Sequence, residues 1–205
     1  MALIGFLTAG CGSNQKALVH QRVAESYLSE RNYTAGLEEL MKAEKLNPKD
    51  AVIQFDMGIA YHGIGRTGEA MEHFKKAIEM KKDYAEAHNR LGVIYSSLGR
   101  YDSAIQEFQA ALSNVLYPSP ENVYQNLSYT YYLKRDCDQA LVSARTGLRF
   151  RPEHSFLLNS LGLALRCVKK PSDAEEAFRQ SLKLNADYVE AHSNLGDLLA
   201  ETGRK

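Results

Sequence analysis

The sequence predicts an all-α fold: a helical solenoid of five full helix-turn-helix repeats plus a terminal half repeat. Three observations predict it. Small and large residues return at one interval: Gly58 and Gly92, Ala70 and Ala104, Ala77 and Ala111, Tyr61 and Tyr95, and Phe74 and Phe108 each stand 34 positions apart. That period belongs to a paired-helix unit. Within a unit the apolar residues follow helical spacing, as in Leu91, Ile94, Tyr95 and Leu98 and then Ala104, Ile105, Phe108, Ala111 and Leu112. No strand-like alternation or hairpin signal competes with this pattern.

The elements follow in order. Residues 1–16 form a leader and tether ahead of the repeats. The first unit spans about 17–50, with Ala24, Tyr27, Gly36, Leu40, Ala43 and Pro48 in register. Units 51–84 and 85–120 carry the clearest copies. Gly99, in Leu98-Gly99-Arg100-Tyr101-Asp102, suits a helix C-terminal cap between the two helices of its unit. Unit 121–154 holds Leu127, Ser128, Tyr131, Ala140, Ala144 and Pro152 at the equivalent places. Unit 155–188 holds Leu161, Gly162, Leu165, Ala174, Phe178 and Ser181, and Leu195 and Gly196 start a half unit over 189–205. Small residues at the eighth, twentieth and twenty-seventh places let paired helices approach. One unit cannot bury its apolar face alone, so stacking supplies the core.

These residues resemble the tetratricopeptide repeat over nearly everything after Ala17, which implies a scaffold that binds protein or peptide segments and is not an enzyme. The N-terminus resembles a bacterial lipoprotein signal: residues 1–7 are apolar, Thr8, Ala9 and Gly10 are small, and Cys11 precedes the polar stretch 12–16. The resemblance implies acylation of Cys11, with attachment to the membrane by that lipid anchor only. Gly12, where Asp would be an inner-membrane sorting signal, implies the outer membrane, on its periplasmic face. No basic residue precedes the apolar stretch, which departs from the usual signal.

The units starting at Ala85 and Glu121 are 36 positions apart, and the extra length falls in 113–120, the stretch SNVLYPSP. Pro118 and Pro120 are expected to end the helix and to hold an extended linker before a helix that restarts at Glu121. This Leu-Tyr-Pro-Ser-Pro insertion, in a lipoprotein of this kind, resembles the type IV pilus biogenesis lipoproteins, the PilF/PilW-type pilotins. That family implies a factor that helps a secretin subunit reach the membrane and assemble. The alternative is a general envelope adaptor of the same repeat class, with a protease or an export complex as partner.

Charge and motifs exclude other classes. The 25 basic and 25 acidic side chains cancel, which argues against a nucleic-acid binder with its basic stripe. Gly63-Ile64-Gly65-Arg66-Thr67-Gly68 matches a dinucleotide fingerprint but lies between two helices rather than after a strand. The six histidines lack metal-ligand spacing, so no metal, cofactor or catalytic residue is expected.

In stacked repeats the first helix of each unit lines a groove through its second, fifth, ninth and twelfth places. Among those places, Phe55, Ile59, Asn89, Val93, Gln125, Tyr129, Tyr132, Phe156, Asn159, Leu163 and Arg166 are the candidate partner-binding residues. The mixture suits a peptide: apolar pockets for its side chains and amides for its backbone. With Arg166 as the one basic side chain in that set, a clamp for a C-terminal carboxylate is not expected. Cys137 opens the second helix of its unit and Cys167 closes the first helix of the next, so both belong to one edge of adjacent layers. Free buried thiols are the commoner outcome for such a pair; a disulfide is the alternative and requires Cα atoms about 4.4–6.8 Å apart.

Overall fold

A computed structural model of the chain describes the backbone of residues 5–204 and the side chains of residues 12–204. The lipidation site expected at Cys11 lies outside the residues whose side chains are described. Among the described residues there are eleven helices and no strand: α1 (Gly5–Ser29), α2 (Tyr33–Leu46), α3 (Ala51–Gly63), α4 (Thr67–Met80), α5 (Ala85–Ser97), α6 (Tyr101–Ser113), α7 (Pro120–Leu133), α8 (Cys137–Phe150), α9 (Ser155–Cys167), α10 (Pro171–Leu184) and α11 (Val189–Glu201). They form five helix pairs and a single last helix, which is the all-α repeat architecture the sequence predicts. No described helix is long and apolar enough to cross a membrane.

Short side chains and one backbone motif delimit the helices. Asn32, Asp50 and Asp136 cap α2, α3 and α8 by accepting from the backbone N–H of Ala35, Val52 and Gln139. Pro120 and Pro171 occupy the first turn of α7 and α10, where a missing N–H costs nothing. The fifteenth residue of every unit has positive φ and turns the chain out of the unit's first helix: Arg31, Gly65, Gly99, Arg135, Lys169 and Gly203, between 60° and 82°. Each of these joins carries the same two hydrogen bonds. In the second, Gly65 N–H donates to His62 O and Arg66 N–H to Tyr61 O; in the fourth, Arg135 donates to Tyr132 and Asp136 to Tyr131. This is the Schellman closure of a helix end, and it satisfies carbonyls the helix leaves open.

The chain divides at Ile94/Tyr95 into two compact units. In the first, α1, α2 and α3 enclose Ala24, Leu40, Ala43, Ile53, Met57 and Ala60, with Leu28 and Tyr61 packed against them. Phe74 of α4 lies over Gly58 of α3, and a Cβ at Gly58 would stand 2.6 Å from its Cε1. In the second unit α9 packs against α7, α8 and α10, and α11 closes on α10. Leu163, Leu165, Phe178 and Leu198 are buried there, and the Phe178 ring covers Gly162 as Phe74 covers Gly58. Where a small place holds a hydroxyl, that hydroxyl is satisfied: Ser128 Oγ donates to Ala140 O and Ser181 Oγ to Ser155 O, both at 2.8 Å. Cys137 and Cys167 are not free thiols: adjacent layers bring their Cα atoms to 5.5 Å, within disulfide range, and the bond ties the start of α8 to the end of α9.

Two boundaries differ from the sequence reading. The backbone of α1 is helical from Gly5, so the expected tether over 12–16 is continuous with the first repeat helix. No proline interrupts that stretch, and adding residues to a helix already packed at Ala17 costs little. The α6–α7 linker is not extended throughout. Leu116 N–H donates to Asn114 Oδ1 at 3.0 Å and Tyr117 N–H to Asn114 O at 3.0 Å, so an Asn-initiated turn folds it back. Helix α7 starts one residue earlier than expected, at Pro120.

Candidate functional site

Three first helices of the second unit carry a cavity of about 460 Å³. Gln125, Tyr129 and Tyr132 come from α7, where spacings of four and three put them on one face. Asn159, Ser160 and Leu163 come from α9. Glu190 and Asn194, four apart on α11, complete the wall together with Tyr188 just before that helix. The volume is that of a small ligand site or of a few peptide side chains.

A chain of contacts fixes this wall. Asn194 Nδ2 donates to Asn159 Oδ1 at 3.0 Å, and Asn159 Nδ2 donates to the Tyr188 hydroxyl at 3.4 Å. The Tyr188 ring meets Phe156 edge-on, centroids 4.7 Å apart, and Phe156 in turn meets His154 at 5.9 Å. Burial, followed by the Glu190 carboxylate, pushes the Tyr188 phenol above its ordinary pKa, so it stays a neutral hydroxyl. Across the cavity the Tyr129 and Tyr132 rings stack at 6.3 Å. Tyr132 also packs on the core around Phe178, whereas Tyr129 remains 45% exposed.

The structure thus brings five of the sequence-predicted groove residues into one cavity: Gln125, Tyr129, Tyr132, Asn159 and Leu163. Phe156 stands behind Tyr188 as its support. Arg166 serves another end: it forms a bidentate ion pair with Glu201 of α11, its Nε 2.9 Å from Oε2. In the first unit Ile59 lines a smaller cavity of about 250 Å³ with Tyr33, His62 and Phe74. Phe55 packs between Phe74 and Tyr84, with centroids 5.6 and 5.0 Å away, and acts in helix packing. Asn89 is half-buried and Val93 is 38% exposed, both on α5.

Sequence reasoning missed Tyr188, Glu190 and Asn194. Glu190 is the second place of the half unit and was reachable by extending the same rule; Tyr188 and Asn194 fall outside its four places. It also missed Asp56 of α3, which is 7% exposed and whose Oδ2 has no hydrogen-bond partner among the described residues. Burial, then the nearby Glu25 charge, pushes the Asp56 carboxyl up to about 7. No group of three or more His, Cys, Asp or Glu among the described residues is arranged to hold a metal ion.

Comparison with known proteins agrees with this architecture. Tetratricopeptide-repeat family models match residues 65–115 and 159–205. The chain carries tetratricopeptide repeats. Within that class it resembles type IV pilus biogenesis factors. It is 30% identical over 169 residues to the type IV pilus assembly protein PilF of Pseudomonas aeruginosa, an alignment covering 81% of this chain and 66% of PilF. It covers only 4% of superkiller complex protein 3 from Mus musculus, which it matches at 36% over 67 residues. The solved structure of Pseudomonas aeruginosa PilF superimposes with a TM-score of 0.77 at 19% identity, over 93% of this chain and 91% of that one. The crystal structure of PilW, described as a widely conserved type IV pilus biogenesis factor, gives 0.76 at 19% identity over 94% and 96%. The structural likenesses establish the fold.

Proposed function

We propose that this protein is a lipid-anchored factor of the bacterial outer membrane, facing the periplasm, that assists assembly of a type IV pilus secretin without catalysing a reaction. It binds one segment of the secretin subunit in the cavity formed by α7, α9 and α11. The observation that carries this reading is the 30% identity to PilF across 81% of the chain. The exposed Tyr129 at the rim of a cavity walled by amides supports a peptide as occupant. The anchor rests on Cys11 and the small residues before it.

The experiment separates binding from folding. Tyr129→Ala, chosen because Tyr129 lies outside the core that Tyr132 joins, should reduce secretin multimers in the outer membrane and leave the melting temperature unchanged. Normal multimers with this variant remove the cavity from the reading. In cells given labelled palmitate, the natural protein should take up label and Cys11→Ala should not. Equal labelling of both removes the anchor.

A further inference from the structure

We propose that the cavity receives the guanidinium of an arginine from the bound segment, lying against the Tyr129 ring and directed at Glu190. This rests on the reading above that a partner segment occupies the cavity. Three observations give the chemistry of the occupant.

The first is charge. Of the residues lining the cavity, Glu190 is the one carboxylate, no Lys, Arg or His accompanies it there, and it forms no ion pair among the described residues. The guanidinium on the same helix as Asn159, that of Arg166, is taken by both carboxylate oxygens of Glu201 and leaves Glu190 uncompensated. The second is the donor inventory. The amide nitrogens of Asn159 and Asn194 already donate inside the wall, to Tyr188 and to Asn159. The Ser160 hydroxyl donates to Phe156 O at 3.0 Å. Each of these groups thus commits one donor to the wall, while the Glu190 carboxylate and the Asn194 carbonyl remain as acceptors beside it. A group rich in donors and without acceptors complements such a wall, and guanidinium, with five N–H donors, is that group. The third is the aromatic lining. Tyr129, Tyr132 and Tyr188 present ring faces and edges to one space, and a planar cation gains attraction over such a face. Arginine fits better than lysine because its flat fork can stack on a ring and bond a carboxylate through two parallel N–H groups.

The test is calorimetric titration of the full chain with four seven-residue peptides, identical except for a central Arg, Lys, citrulline or Glu. Citrulline keeps the shape of arginine and removes the charge. The Arg peptide should bind at least tenfold more tightly than the citrulline and Glu peptides, and more tightly than the Lys peptide. Glu190→Gln should shrink the Arg-over-citrulline preference to under threefold, and Glu190→Asp should restore part of it, both without a change in melting temperature. Equal binding of Arg and citrulline peptides overturns the guanidinium inference while leaving segment binding in place. Preference for the Glu peptide does the same. If none of the four binds at millimolar concentration, the inference fails, and segment binding is then decided by secretin multimers in Tyr129→Ala cells.

Discussion

At the scale of single residues, the same place in the repeat does different work depending on what faces it. Gly58 and Gly196 both occupy the eighth place. A Cβ at Gly58 would press on Phe74, which is 1% exposed and has nowhere to move, whereas a Cβ at Gly196 meets nothing within 4 Å among the described residues. Gly58→Ala should therefore destabilise by about 1–3 kcal/mol, and Gly196→Ala should stabilise by up to about 1 kcal/mol through helix propensity. Urea denaturation of both variants reads the two signs; the same sign for both would contradict the packing described. Asp56 supplies a pH dependence. Its folded pKa of about 7 lies above the unfolded value of about 3.9. Between those limits the native state holds more protons than the unfolded chain, so stability falls as pH rises from about 4 to about 7. Asp56→Asn should flatten that slope and raise stability at pH 8 by on the order of 1–3 kcal/mol, the cost of a buried polar group left unmatched. Melting curves at pH 5 and pH 8 for both proteins check it.

At the scale of elements, the turns show how the pairs are joined and how far the sequence reveals it. Arg31, Arg135 and Lys169 adopt the left-handed backbone that Gly65, Gly99 and Gly203 adopt without strain. Replacing Arg135 or Lys169 by Gly should relieve a penalty of about 1 kcal/mol per site, visible as a higher denaturation midpoint; a lower midpoint would mean the side chain contributes more than the strain removes. Gly65 and Gly99 were legible as turn residues. The other joins were legible only through the period, because arginine and lysine give no local signal of positive φ. Helix pairing was readable from the small residues opposite Phe74 and Phe178. The start of α1 was not, since nothing in residues 5–16 marks a helix boundary. Much of the cavity followed from one rule of placement, which found Gln125, Tyr129, Tyr132, Asn159 and Leu163. Tyr188 and Asn194 escaped it because they reach the cavity from the ends and flanks of their elements.

At the scale of the whole molecule, stability in a repeat protein is a sum of neighbouring terms, so damage stays near its source. The Cys137–Cys167 bond spans 30 positions inside the second compact unit. Removing it through Cys137→Ser with Cys167→Ser should cost that unit about 2–4 kcal/mol. Hydrogen exchange should show faster opening of α8 and α9 and unchanged protection in α1 to α4. Uniform loss of protection along the chain would contradict a local role. The disulfide sits on α9, the helix that contributes Asn159 and Leu163, so its loss should also weaken partner binding.

The repeated turn has a consequence for how the protein is made. Each Schellman join is closed by hydrogen bonds reaching back no more than five residues, so a growing chain can form each turn as soon as it emerges, and a pair's apolar face is buried when the next unit stacks on it. Such short-range closure favours fast assembly in order from the N-terminus. The disulfide alone breaks that sequence: Cys137 must wait, exposed to oxidants and to other thiols, until α9 has been delivered and Cys167 can reach it.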